Sequence, residues 1–459
     1  MSQTLAPTVS NTASKHVISV VNRLFPEPRA FALQLWDGTL LPAQSKATFA
    51  LVLNTPSVLR HMFSPPIELS LGEAFIRGEF DIEGDIFGAC ATFKSLAALS
   101  LSIPEWVAIA RDLFALPRSS PHTQNERGRV SLSGARHSRE RDRAAIQYHY
   151  DVGNDFYALW LDNNMQYSCG YFPTGRESLD EAQTLKMAHI CRKLQLKPGE
   201  RLLDIGCGWG GLARFAAKNY GVHVVGVTLS AKQMEFANYE NARSGLGKQV
   251  IVKLQDYRDL TGEPFDKIVS VGMFEHVGHT QLLEYFGHAY RLLKPGGLFL
   301  NHGISSRMTR ATFDTTGSAA CCDPRKPVRR EARWQASLNQ RILGAGSFIQ
   351  QYVFPDGELM PVSAINLMAE QAGFEVRDVE NLREHYALTL RHWVNRLEAR
   401  RPEAIARTDQ GTYRTWRIYM AASAIGFELG KSNVNQSLLA KLDHGTSHLP
   451  LSRAGLYAA

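Results

Sequence analysis

From residue 200 onward, apolar runs alternate with stretches whose apolar positions recur every three to four residues. RLLDIGC, HVVGVTL, QVIVKLQD, FDKIVSVGMF and LFLNHGI read as strands, since runs of branched side chains bounded by glycine turns suit strands buried on both faces. GGLARFAAKNY, SAKQMEFANYENA and TQLLEYFGHAYRLL carry an apolar stripe at helical spacing. Strand then helix, repeated, predicts the α/β class: a doubly wound, mostly parallel sheet covered by helices. Later helices are expected at about 361–372, 384–400 and 411–429, and the tail from 431 is short and ends in small residues.

The first ~117 residues have another texture. FALQLWDG, ATFALVLN and LSLGEAFIRGEFDIEG read as strand-like runs between turns, followed by helical stretches at about 86–115. Residues 118–138 are rich in Ser, Arg and Gly with almost no large apolar side chain, the composition of a linker. The expected organisation is a smaller N-terminal α+β domain over 1–117, a linker over 118–138, and a larger segment over 139–459 interrupted by a basic insertion at 305–350.

Composition narrows the function classes. The 459 residues are 44% hydrophobic and 21% charged, which excludes disordered and fibrous chains. Six cysteines without a CxxC pair argue against a disulfide framework and a cysteine zinc site, and favour a reducing compartment. The N-terminus lacks the apolar core of a signal peptide, and no run of ~18 apolar residues suits a membrane span. The net charge of +7 is localised. Residues 118–143 hold seven Arg against three acids, and 307–333 hold seven Lys or Arg against three acids. Such patches suit an anionic surface, nucleic acid or phospholipid headgroups.

The sharpest local motif is LLDIGCGWGG at 202–211. Asp204 ends a strand, and Gly206, Gly208 and Gly210 turn into the next helix, where free backbone N–H groups face a ligand. A nicotinamide loop would read GxGxxG with an acid ~20 residues later. Here the spacing is GxGxG and the second strand ends in Thr228, Leu229 and Ser230. An acid followed by this glycine pattern resembles an S-adenosylmethionine (SAM) loop instead.

Further segments share one order and spacing: YHYDVGNDFYALWLDNNMQYSCGYF at 148–172, SVGMFEHVG at 270–278, FLNHGIS at 299–305, YVFPDGELMPVS at 352–363 and REHYALTLRHW at 383–393. Together they resemble the cyclopropane-fatty-acyl-phospholipid synthases and their mycolic-acid relatives over roughly 140–430. GEAFIRGEFDIEGD is similar to the small first domain of the phospholipid-acting branch. The resemblance implies a SAM-dependent enzyme that adds a methylene to the cis double bond of a phospholipid acyl chain. It implies a bound bicarbonate as base, held by Glu275, His302 and Tyr386 with backbone groups near Cys169 and Ile304. A carboxylate facing bicarbonate needs a shared proton or a cationic neighbour, and His302 could supply the latter. It places SAM against Tyr167, Ser168, the loop from Asp204 to Gly210, Thr228, Leu229, Gln233, Asp256 and Tyr257. Ser230 and Gln233 also spell a helix capping box. Cys169 is expected to have no covalent role.

The chemistry asks for a shielded, cation-tolerant pocket, since methyl transfer to an alkene leaves a carbocation that must lose a proton to close the ring. Tyr148, Tyr150, Phe156, Tyr157, Trp160, Tyr167, Tyr171 and Phe172 crowd one stretch, and more than half are expected to be ordinary core. Where the mycolic-acid branch commonly has a late-helix Cys, this chain has Ser423, which weakens a mycolic-acid assignment. A methyl- or methylene-branching fatty-acyl C-methyltransferase and a non-catalytic SAM sensor remain alternatives. The implied partners are unsaturated membrane phospholipids and an anionic membrane surface, reached through the basic insertion; no nucleic acid is expected, and a homodimer is left open. The implied location is the cytoplasm, peripherally associated with the inner face of the membrane.

Overall fold

The computed structural model describes residues 7–95, 101–118, 128–150, 152–307, 342–344 and 346–457. The basic side chains Arg310, Arg325, Lys326, Arg329 and Arg330, and the pair Cys321 and Cys322, lie outside the described residues. The chain forms two compact units. The first gathers Met1–Arg129, Lys326–Val353 and Arg401–Ile425, and the second Val130–Arg325, Phe354–Arg400 and Gly426–Ala459. Compactness thus groups two later segments with the N-terminal residues, where the sequence reading places all of 139–459 together.

Buried polar contacts explain that grouping. In the first unit the Tyr352 hydroxyl donates to Glu73 at 2.9 Å, and Arg129 donates to the same carboxylate at 2.5 Å. Arg414, 4% exposed, pairs with Asp81 at 2.8 Å and lies 4.7 Å from the Phe75 ring. These groups need partners because a buried unpaired charge is costly. A four-stranded sheet of β1 (Ala32–Gln34), β2 (Leu40–Leu41), β3 (Phe49–Leu53) and β4 (Phe80–Gly84) runs in the order β2-β1-β3-β4. The helix Pro7–Leu24 buries Ala13, Val17, Val20, Val21 and Leu24, a helical stripe that the sequence reading passed over. The first half of LSLGEAFIRGEF is also helical, over Ile67–Ile76, not strand-like. Burial nearly all round this helix erases the alternation that would have distinguished it.

The second unit carries a seven-stranded sheet in the order β10-β11-β9-β8-β5-β6-β7. Its strands are β5 (Arg201–Ile205), β6 (His223–Thr228), β7 (Val250–Leu254), β8 (Phe265–Val271), β9 (Leu293–Ser306), β10 (Glu375–Asn381) and β11 (Ser432–Ala440). β7, β6, β5, β8 and β9 are parallel, whereas β11 runs antiparallel between β9 and β10. Successive residues serve opposite faces. Leu202, Val224, Val269 and Leu300 pack with Met187, Ile190 and Leu212, while Leu203, Val227, Ile268 and Phe299 pack with Phe286 and Ile365. The expected mostly parallel sheet is present, as are helices at Val362–Gln371, Arg383–Ala399 and Gln410–Glu428. β10 and β11 were not expected; the tail from 431 is a strand inside the sheet.

Candidate active site

A cleft opens at the carboxyl ends of the parallel strands. β5 is flanked by β6 on one side and β8 on the other, so the connections reverse there and leave a crevice. The cleft has an empty volume of about 1090 Å³, part of it open to solvent. Its wall contains Tyr167, Ser168, Asp204, Gly206, Gly208, Thr228, Leu229, Gln233, Asp256 and Tyr257. Gly208 has φ +54° and nothing within 4 Å of an added Cβ, so it leaves room at the wall.

Gly210 is different. It is absent from the wall, sits at φ +74° before the helix Gly211–Tyr220, and a Cβ there would meet Ala237 and Arg214 at 3.1 Å. Its smallness serves packing between helices. Gln233 does two jobs. Its backbone N–H donates to the Ser230 hydroxyl at 3.3 Å, capping the helix, while its side-chain oxygen accepts from Thr228 at 2.8 Å. Asp256 accepts from the Arg258 backbone and guanidinium, and both residues face the cleft. Of the eight clustered aromatics only Tyr150 and Tyr167 line it; Phe156, Tyr157, Trp160 and Phe172 are core, half of the group where more than half was expected.

Beneath the wall lies a charge that the sequence reading did not single out. Lys186, on the helix Leu179–Lys193, is fully buried. Its Nζ donates to Gln166 Oε1 at 2.5 Å and to the Ser168 hydroxyl at 2.9 Å, both cleft residues. Burial brings its pKa down to about 8, against the attraction of Asp162, Cys169 and Asp204. Asp204 is 2% exposed and its Oδ2 has no hydrogen-bond partner among the described residues. Burial pushes that carboxyl up to about 7, and only the Lys186 charge opposes the rise.

The second group of expected residues lies off the cleft wall, joined through the backbone. Glu275 follows β8, between the cleft residues Met273 and His276. Its Oε1 accepts the Ile304 N–H at 2.7 Å, and its buried Oε2 has no hydrogen-bond partner among the described residues. Ile304 on β9 stands opposite Val434 on β11, whose carbonyl accepts from Leu382 N at 2.7 Å. The Leu382 carbonyl in turn accepts from Tyr386 N at 3.0 Å and from Cys169 Sγ at 3.6 Å. One chain of contacts therefore connects Glu275, Ile304, Tyr386 and Cys169.

His302, two residues before Ile304, stands opposite Gln436, whose amide Nε2 lies 3.1 Å from its Nδ1. Burial drives the His302 pKa to about 3, with Lys186 and Lys193 adding repulsion. The ring is therefore neutral near pH 7, and the expectation that it supplies a cationic neighbour is corrected. Glu275, pushed by burial to about 7, is the member of this group that carries a proton near neutrality. The Cys169 thiol is raised far above its usual range by burial, in keeping with no covalent role. Gln166, Lys186, Arg258 and His276 were missed, because each reads in sequence as an ordinary polar position.

The family described as "Mycolic acid cyclopropane synthetase" matches residues 137–437. A "Probable fatty acid methyltransferase" of Pseudomonas putida is 39% identical over 427 residues, spanning 93% of this chain and 95% of that protein. The cyclopropane-fatty-acyl-phospholipid synthase of Escherichia coli (strain K12) is 39% identical over 302 residues, 65% of this chain and 69% of that one. Among solved structures, the mycolic acid cyclopropane synthase CmaA1 complexed with SAH and CTAB is 34% identical, with a TM-score of 0.56 over 65% of this chain and 97% of that chain. With the strand order, the cleft at the β5 reversal and these likenesses in hand, the chain belongs to the mycolic acid cyclopropane synthetase family of SAM-dependent methyltransferases.

Proposed function

We propose that the protein transfers a methylene group from SAM to the cis double bond of an unsaturated phospholipid acyl chain, giving a cyclopropane ring and S-adenosylhomocysteine. The observation that carries this reading is the buried Glu275 carboxyl beside the cleft, with Oε2 unpartnered among the described residues. SAM supplies the electrophilic methyl, and the alkene carbon attacks it. The cation that remains must lose a proton from the new methyl before the ring closes. A bicarbonate between Glu275, His302 and Tyr386, next to Cys169 and Ile304, would supply a base there. The residues fit such an anion: Glu275 with a proton to share, beside a neutral His302. Tyr167, Ser168, Asp204, Gly206, Gly208, Thr228, Leu229, Gln233, Asp256 and Tyr257 are the proposed SAM contacts. Residues 1–117 are the proposed accessory domain, 118–138 the joint and 139–459 the catalytic segment. No described helix is long and apolar enough to cross a membrane, so we place the enzyme peripherally on the inner face, acting on membrane lipid. It acts there alone or as a homodimer.

The full-length likeness to a protein named as a fatty acid methyltransferase favours a second reading, in which the same cation is quenched to a methyl or methylene branch. One assay separates them: purified protein, labelled SAM and unsaturated phospholipid vesicles, with products resolved by mass spectrometry. Gain of CH2 with loss of the alkene supports ring formation. A methyl branch supports the second reading, and absence of transfer sinks both. SAM binding is tested separately. Asp204→Asn keeps the volume but removes the charge, and should weaken SAM by about 10- to 100-fold, the worth of one charge-assisted hydrogen bond. Unchanged affinity by titration calorimetry would remove Asp204 from the SAM site.

A further inference from the structure

The helix Ile103–Ala115 in the first unit presents its faces in reverse. Inward it carries Ile109 and Leu116 together with an acid, Asp112, which is 2% exposed. Asp112 is fixed there by the Ser19 hydroxyl at 2.7 Å and His16 Nδ1 at 3.1 Å, both on the helix Pro7–Leu24. Outward it carries Ile103, Trp106, Val107 and Phe114, exposed by 81%, 53%, 62% and 74%. These positions share one helical stripe. A Ser102–Glu105 capping box starts the helix, and the anchored Asp112 sets its rotation, so the apolar face is held outward by specific bonds.

Positive charge rims that face. Arg60 donates to the carbonyls of Phe114 and Leu116 at 3.1 and 2.7 Å, and its guanidinium lies 5.6 Å from the Phe114 ring. The Arg111 side chain is 74% exposed, its guanidinium reaching back to Asp112 at 3.4 Å, and Arg118 is exposed just past the helix. The stripe itself bears no acid. An apolar face with Trp and Phe, edged by arginines, has the makeup of a helix lying in the headgroup region of a bilayer.

We propose that this face docks on an anionic phospholipid surface, with Trp106 and Phe114 at the boundary between headgroups and acyl chains and Arg60, Arg111 and Arg118 against phosphate. The choice of a bilayer as occupant rests on the charge complementarity and on the lipid-substrate reading above. The sequence reading placed membrane contact first on the 305–350 insertion and second on the linker arginines from Arg118 to Arg143, and not on this helix, which lies in a different unit from the cleft.

The test uses the full-length protein with vesicles of phosphatidylglycerol and phosphatidylethanolamine, and with phosphatidylcholine alone as the uncharged control. The parent should sediment with the anionic vesicles and less so as salt rises, since surface attraction is screened within about 8 Å at physiological ionic strength. Trp106→Glu/Phe114→Glu should cut the vesicle partition coefficient at least about tenfold. Both side chains are exposed, so the melting temperature and turnover on detergent-dispersed lipid should match the parent. Arg111→Glu should weaken binding to anionic vesicles only. Equal vesicle binding by parent and double variant overturns the proposal, as does a parent that binds no vesicles. A double variant that turns from dimer to monomer with vesicle binding intact also overturns it, and gives the face to a second copy of the chain. If the parent methylates no lipid but the variant still loses vesicle binding, the docking face stands and the function reading falls.

Discussion

Glu275→Gln is expected to lower turnover by about 10²- to 10⁴-fold, the span typical of losing a positioned proton-transfer group. SAM affinity should hardly change, because Glu275 is not on the cleft wall. The pH dependence gives a second signature. Burial raises the Glu275 pKa from the usual carboxylate range to about 7, so ionisation is disfavoured in the fold. The proposed role needs the protonated carboxyl beside bicarbonate, so turnover of the parent should fall as pH climbs through about 7; the Gln variant, which has no proton to lose, lacks that fall. Stability follows the same sign. A raised folded pKa means stability is complete below the ordinary carboxyl range and is lost as pH climbs through about 7. Near pH 8 the parent carries a penalty on the order of 3 kcal/mol that glutamine lacks. The variant should therefore melt higher than the parent at pH 8 and alike only below about pH 4, while being far slower. A variant with parental turnover would end the case for Glu275 in proton removal.

The second large effect is expected at Lys186, a positioning residue. Lys186→Met removes the donor to Gln166 and Ser168 and leaves the buried Gln166 oxygen without it, at about 1–3 kcal/mol; the half-buried Ser168 hydroxyl faces the cleft. It also removes the one cation that restrains the Asp204 pKa, which should then climb beyond about 7. Asp204 would be mostly protonated at neutral pH, and SAM affinity should fall at least about tenfold and recover in part as pH is raised. A merely structural role would lower the melting temperature without that pH dependence. Calorimetric titrations at pH 7 and pH 9 with the same affinity ratio as the parent would reject the assignment.

The parallel half of the sheet was legible because each strand is an apolar run between glycine turns, and because the LLDIGCGWGG turn marks the reversal strand. β10 and β11 were not, and the reason is a buried polar network. Gln183, Lys186, His189 and Lys193 form a polar stripe at near-helical spacing, yet all are fully buried. Lys193 reaches Asp378 at 3.1 Å and Glu380 at 2.6 Å on β10, and His189 reaches Glu380 at 2.7 Å. Asn435, Gln436 and Ser437 are buried polar residues in the middle of β11, between the buried Val434 and Leu438. Polar residues are read as outward-facing unless paired, so the polar face of the helix and its partners on the edge strand β10, where only Asp378 is buried, gave no apolar pattern to read. The motif resemblance supplied Glu275, His302 and Tyr386, but the neutrality of His302 depends on burial and two lysines from another helix. No spacing along the chain conveys that.

The antiparallel seat of β11 bears on how the polypeptide emerges from the ribosome. β9 is made with β8 already present, but its other edge waits for β11, roughly 125 residues later. At about 5–20 residues per second, that interval is on the order of ten seconds. Throughout it the backbone of His302 and Ile304 offers an unpaired edge, a template for pairing with another nascent chain. Most of the glycine loop's surroundings can assemble early, whereas the Glu275–Ile304–Val434–Leu382 connection closes only when the last strand arrives. Synthesis that pauses between 306 and 432 should thus yield chains that have the nucleotide-type crevice yet aggregate through β9, and whose rescue depends on holdase chaperones.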